Sequence, residues 1–265
     1  MSNITGALYK IRYLDEFSRK KTLMHRLSPT IKLIVTLIYI LLVVSFGKYQ
    51  LGGVIAMSAY PLIMLSLAEM PAKELIKRVV VAMPFVMGVG IFNPVFDRDI
   101  MTYFLGIGIS GGWISFLTLI VKGVLTVSSA IILVGTTGIE NIAHSMRILK
   151  MPKIFVVLIL LTYRYISVLM EEAASIWTAY KLRAPGQKGI RHDVWGPLLG
   201  QLLLRTYDRG IRVYDAMILR GFDGDFRMGT AFVTGIGSYL FLLIALAGFL
   251  IIRLSVITMI LDLLI

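Results

Sequence analysis

Trp113–Val134 reads WISFLTLIVKGVLTVSSAIILV, an apolar run broken by a single charge, Lys122. A helix that crosses a bilayer needs about 20 consecutive, mostly apolar residues, and this stretch supplies them. Working outward, similar runs at 31–46, 51–68, 79–96 and 231–262 predict four further spans. The whole chain has the same balance: of 265 residues 57% are hydrophobic and 16% charged, with a mean hydropathy of +0.83. Soluble domains are about 25% charged and about 45–50% apolar, so a water-soluble enzyme is excluded. A transmembrane barrel would show short alternating segments, and the sequence has none. The expected fold class is an all-α integral membrane protein with about five transmembrane helices plus long amphipathic helices on the cytoplasmic side.

Sidedness follows from the cations. Lys and Arg outnumber Asp and Glu by 27 to 15, for a net charge of +12. In a membrane protein this balance collects in cytoplasmic loops, and nucleic-acid binding is not expected. Lys10, Arg12, Arg19, Lys20, Lys21 and Arg26 predict a cytoplasmic N-terminus. The opening residues have no short apolar stretch before a cleavage site, so no secretory signal is expected. Ser28-Pro29 reads as an N-cap and first helical residue. Gly47–Gly53 is a short external turn. Lys73, Lys77 and Arg78 make the next loop internal, and Asp97–Gly112 is external again. Pro84, Gly88, Gly90 and Pro94 predict a kinked third span. Gly135-Thr136-Thr137-Gly138 breaks the fourth on the inner side.

The run at 154–170 is basic on both flanks, with Arg147, Lys150 and Lys153 before it and Lys181, Arg183, Lys188 and Arg191 after it. We read 154–183 as one long helix, apolar at first and amphipathic later, lying in or below the inner leaflet; a simple crossing by 154–170 is the alternative. Ala184-Pro185-Gly186 stops it. A second amphipathic helix is expected over 195–220. It places Arg205, Arg209, Arg212 and Arg220 within about 80° of one another on a helical wheel, and Asp208 pairs with Arg212. Gly221 and Gly224 end it. The chain then divides into membrane helices with a basic N-terminus (1–134), a cytoplasmic or interfacial module (135–230) and a last membrane helix (231–265).

Little of the polar sequence suggests catalysis. There is no phosphate loop of the GxxxxGK[ST] type, and Cys is absent. His25, His144 and His192 are scattered, unlike the clustered ligands of a metal site. Asp223-Gly224-Asp225 is a carboxylate pair that fits a polar turn. Gly106-Ile107-Gly108 and Gly111-Gly112 follow no predicted strand, so a dinucleotide site is remote. Lys122 is an intramembrane cation, either functional or held by carbonyls or by Asn93. Gly88, Gly90, Gly123, Ser128 and Ser129 allow close helix packing.

The module is more informative. Its two helices end on Lys181-Leu182-Arg183-Ala184 and Ile218-Leu219-Arg220-Gly221. An Arg at a helix tip can enter an acidic groove on a partner, because its guanidinium pairs bidentately with carboxylates; a phospholipid surface is the other reading. Met151-Pro152-Lys153, Leu160–Tyr165, Glu171-Glu172-Ala173, Gly200–Arg209 and Ala216–Gly224 together resemble the transmembrane T component of energy-coupling factor transporters, in its cobalt-type branch. The resemblance is strong over 150–224 and rests on layout before that.

The resemblance implies a non-catalytic coupling subunit with long coupling helices in a prokaryotic cell membrane. Its partners would be two cytoplasmic ABC-type ATPases, which would bind ATP and Mg, and a substrate-binding membrane subunit, with a further small membrane subunit in some systems. The chain itself would bind no cofactor or metal. The family's two Ala-Arg-Gly docking motifs would correspond to Leu182-Arg183-Ala184 and Leu219-Arg220-Gly221, with Leu replacing Ala in both and Ala following Arg in the first. Arg205, Arg209 and Arg212 would form a supporting basic face. Cobalt or nickel is the implied cargo; the alternatives are a shared T component for vitamins, a lipid enzyme, or a stand-alone carrier with Lys122 as its selectivity residue.

Overall fold

A computed structural model describes residues 22–97, 100–104, 107–187, 189, 191–226 and 235–262. The basic N-terminal cluster up to Lys21, together with Lys188, Arg227 and 231–234, lies outside them. The described residues form two compact units, one containing 22–138 and 235–262 and the other 139–226.

The first unit opens with a single turn, α1 (Leu23–Arg26), and α2 (Pro29–Ser45). Ser28 holds the N-cap position, but its hydroxyl caps nothing; its backbone N–H donates to Ser238 Oγ at 3.0 Å. The second apolar run is two helices, α3 (Leu51–Ala56) and α4 (Ala59–Ala68), joined at Met57-Ser58. Glu69 ends α4 in the left-handed region, at φ 52°. The third is α5 (Ala72–Gly90), followed by the short α6 (Asn93–Phe96). Lys73, Lys77 and Arg78 therefore lie inside a helix, not in the loop expected from their charge. Long cationic stems can lie along an apolar surface with their heads in water, so such residues fit the end of a span.

A β-hairpin, β1 (Ile100–Phe104) with β2 (Ile107–Ser110), was not anticipated. It places strand before Gly111-Gly112, contrary to the sequence reading; these glycines then begin α7 (Gly111–Thr137). This helix runs on through Gly135-Thr136-Thr137 and stops at the last residue of the expected break, Gly138 at φ 76°. The unit closes with α11 (Ile236–Asp262), reached after the three helices of the second unit.

The core of this unit is aromatic at its centre. Tyr39, Tyr60 and Phe249 stack with centroids 4.5–5.5 Å apart. Their polar ends are satisfied: Tyr39 Oη donates to Met57 O at 3.0 Å, and Tyr60 Oη pairs with Thr36 Oγ1 at 3.0 Å. Burial of Val35, Val43 and Val54 encloses them. Outside this core, Val81, Phe85 and Phe96 are each about four-fifths exposed (78%, 81% and 82%). Apolar surface on that scale suits acyl chains better than water.

Five helical segments are long and apolar enough to cross a membrane: Leu51–Ala68, Ala72–Phe96, Gly111–Thr137, Lys153–Arg183 and Ile236–Ser255. The number matches the expectation but the membership differs. Pro29–Ser45, at 17 residues, falls among the shorter apolar helices, and Lys153–Arg183 qualifies by length and composition.

The second unit is α8 (Ile139–Ile148), α9 (Lys153–Arg183) and α10 (His192–Leu219). At 31 residues, α9 is about 46 Å long, unbroken by Tyr163-Arg164-Tyr165. Its start is marked by Lys150 at φ 64° and by Pro152 at the N-cap.

Candidate docking site

Both long helices of the second unit end as their sequence dictates. Lys181 and Arg183 occupy the last turn of α9, where cations oppose the negative end of the helix dipole, and Lys181 lies 5.2 Å from the centre of the Trp177 ring. Arg183 is the final helical residue, Ala184 caps it, and Gly186 turns the chain at φ 86°. Helix α10 starts with Asp193 in its first turn, paired with Arg191 at 2.7 Å. It ends at Leu219; Arg220 is the cap and Gly221 follows at φ 80°.

The two tips share a form. Arg183 and Arg220 are exposed, and each follows an almost bare leucine, Leu182 at 78% and Leu219 at 88%. Among the described residues neither Arg closes an ion pair. Ala184 is half-buried and Gly221 exposed. Each tip therefore offers a free guanidinium beside an apolar knob.

The basic face is less free. Arg205 of α10 is paired with Glu172 of α9, so one of its charges fastens the two helices together. Arg209 and Arg212 line a shallow hollow with Glu172 and Asp208. The expected Asp208–Arg212 pair is not closed. Toward the α9 start lies an apolar groove of about 510 Å³, walled by Ile154, Leu158, Leu161, Val213 and Met217.

Sequence reasoning missed what Asp225 does. Its carboxylate accepts from Arg147 at 2.6 Å and lies 3.3 Å from Lys153. Partial desolvation works to raise its pKa, but hydrogen bonds and charge from Arg147 and Lys153 outweigh this and hold it below the ordinary value of 3.8. Asp223 Oδ1 accepts from the Asp225 backbone N–H at 3.2 Å, so Asp223-Gly224-Asp225 forms a turn. Among the described residues no group of three His, Cys, Asp or Glu could hold a metal. The one available signal was the excess of unpartnered cations at Arg147, Lys150 and Lys153.

Lys122 binds backbone: its Nζ donates to Phe46 O at 2.5 Å and Val44 O at 3.3 Å. Asn93, the alternative partner, donates instead to Ser115 Oγ at 3.3 Å. His25 pairs with Thr22 at 2.7 Å, while His144 and His192 lie on α8 and α10. Asp97 accepts from Tyr49 at 2.5 Å and Lys48 at 3.0 Å.

These features define a multi-pass helical membrane protein. The chain belongs to the CbiQ family, described as cobalt transport protein, whose model matches residues 20–231. It is thus a membrane component of a transport system. It is similar to an uncharacterized protein of Methanocaldococcus jannaschii, 26% identical over 234 residues, covering 82% of this chain and 79% of that one. A second uncharacterized protein of the same organism is 32% identical over 104 residues, 38% of each chain.

Proposed function

We propose that this chain is the transmembrane coupling subunit of an energy-coupling factor importer, with cobalt as its cargo. The observation that carries this reading is the pair of free Arg tips, Arg183 and Arg220, at the ends of α9 and α10. Each tip would dock into one cytoplasmic ATPase, with Leu182 or Leu219 filling an apolar site beside the charge pair. ATP and Mg would bind in those ATPases, and the cargo in a separate membrane subunit. The N-terminus and the 139–226 unit would face the cytoplasm, where the positive excess of the loops is expected.

Closure of the ATPase pair around ATP would displace both tips. The displacement would reach the substrate-binding subunit through α9 and α10, which the Glu172–Arg205 pair holds together. Such coupling requires an element with two states on which ATP acts. Family membership supports the transport role, and the exposure of the tips supports their use as docking points.

The test is purification of the tagged chain from its native host in mild detergent. Stoichiometric ATPase subunits and a small membrane protein should accompany it. A metal-binding membrane partner fits cobalt, whereas a vitamin-binding one would reassign the cargo. A folded, monodisperse chain that arrives alone would overturn the coupling role.

A further inference from the structure

The turn behind the second tip is anchored more firmly than a helix end requires. Backbone bonds already close α10, with Gly221 N donating to Ile218 O at 2.9 Å and Phe222 N to Met217 O at 3.0 Å. Left-handed Gly221 and Gly224, at φ 80° and 83°, then fold the chain back. That fold brings Asp225 to Arg147, in the last turn of α8, and to Lys153, the first residue of α9. Only four residues separate Arg220 from this anchor.

The anchored positions are where movement would be useful. Helix α8 is joined to α7 by the single residue Gly138. Helix α9 runs without a break from Lys153 to Arg183, so the carboxylate behind one tip is tied to the root of the helix that bears the other. The intervening corner, residues 149–152, contains Pro152 and Lys150, the latter left-handed at φ 64°, and is not helical. Phe222 and Gly224 of the turn line the apolar groove with Ile154 and Leu158 of α9, and the ion pairs add a directional tie to that packing, so that a push on Arg220 passes to α8 and α9 with less slack.

We propose that Asp225 is a positioning residue for coupling: clasped by Arg147 and Lys153, it makes the Arg220 tip, the α8 end and the α9 root move as one body. The proposal rests on the coupling reading above. It assigns Asp225 no contact with ATPase or cargo.

The experiment uses the complete complex in lipid vesicles, scoring uptake of radiolabelled Co²⁺ and ATP hydrolysis on the same preparation. Asp225→Asn keeps the size and removes the charge. It should retain its ATPases and their hydrolysis while Co²⁺ uptake per ATP falls about tenfold, the scale of an ordinary allosteric coupling. Asp225→Glu should recover most of the loss. Lys153→Gln, which leaves the Arg147 bond in place, should lower the same ratio by less and serves if Asp225→Asn does not fold. A wild-type ratio in Asp225→Asn, or in Lys153→Gln where that variant stands in, overturns the clasp. So does loss of the ATPases from Asp225→Asn and Asp225→Glu alike, because the pair would then be merely structural. A wild-type chain that brings no ATPase, or takes up no Co²⁺, overturns the underlying reading before any variant is scored.

Discussion

Lys32 and Lys122 cap each other's helices. Lys32, near the start of α2, donates to Thr136 O at the end of α7 at 2.9 Å. Lys122, within α7, donates to Phe46 O and Val44 O at the end of α2. The last carbonyls of a helix have no partner within it, and in hydrocarbon no water replaces one. Each cation therefore meets a need of the other helix while its own charge is received by the negative end of a dipole.

Replacing either lysine by Met should cost stability before it costs function. Lys32 is 1% exposed, and Lys32→Met should lose about 2–3 kcal/mol, as for a charged hydrogen bond whose acceptor stays buried. Lys122→Met, at a less buried site, should lose about 1 kcal/mol. Thermal unfolding in detergent ranks the two, and uptake corrected for folded protein should stay near wild type. Loss of uptake with no change in melting in Lys122→Met would support the carrier reading instead.

The glycines of the membrane unit are not equivalent. A Cβ on Gly112 would stand 2.6 Å from Asn93 O, Asp97 O and the Pro94 Cα, all backbone. On Gly90 it would meet the Phe116 ring at 2.9 Å, and on Gly88 it would meet nothing within 4 Å. Gly112→Ala should therefore destabilise by about 2–3 kcal/mol and Gly90→Ala by about 1, since overpacking costs least where a side chain can yield. Gly88→Ala should be neutral or slightly stabilising through helix propensity. Equal melting temperatures for Gly112→Ala and Gly88→Ala would contradict this ordering.

How much was legible in the sequence depends on how far a signal travels. The unbroken α9, its stop at Ala184-Pro185-Gly186 and the Arg183 and Arg220 tips could be read because each rests on residues within one or two turns. The Asp225 clasp could not, because Arg147 lies 78 positions away. For Lys122 the sequence offered carbonyls as one class of partner, as found, but not which ones, and Lys32 gave no signal, because backbone carbonyls are carried by every residue and no side-chain pattern marks them. Lys73, Lys77 and Arg78 misled because charge indicates a side of the membrane but not where a helix begins.

The Asp225 clasp should weaken with acid. Its folded pKa is lowered, so the pairs contribute fully above the unfolded carboxyl value, near 3.8. Their contribution falls as pH drops below that toward the folded value. The protection of the amides of 221–226 against hydrogen exchange, relative to the intrinsic rate at each pH, should fall there, and Asp225→Asn should already show reduced protection at neutral pH. Identical protection in the two proteins at neutral pH would mean the ion pairs do not hold the turn.

The tips provide the sharpest test of function, because charge reversal separates docking from folding. Arg183 and Arg220 are exposed, and their replacement opens no cavity and breaks no ion pair among the described residues. Arg183→Glu and Arg220→Glu should each leave the chain in the membrane with its melting temperature unchanged and reduce uptake to background. A like charge facing an acidic groove costs several kcal/mol, enough for at least a hundredfold loss of ATPase affinity. Leu182→Ser and Leu219→Ser, which remove only the apolar knob, should weaken docking by about tenfold, as for about two buried methylenes. If each tip serves a different ATPase, one reversed tip should halve the ATPase recovered with the chain, and reversing both should abolish recovery. Full uptake in both single reversals would mean that the tips do not dock.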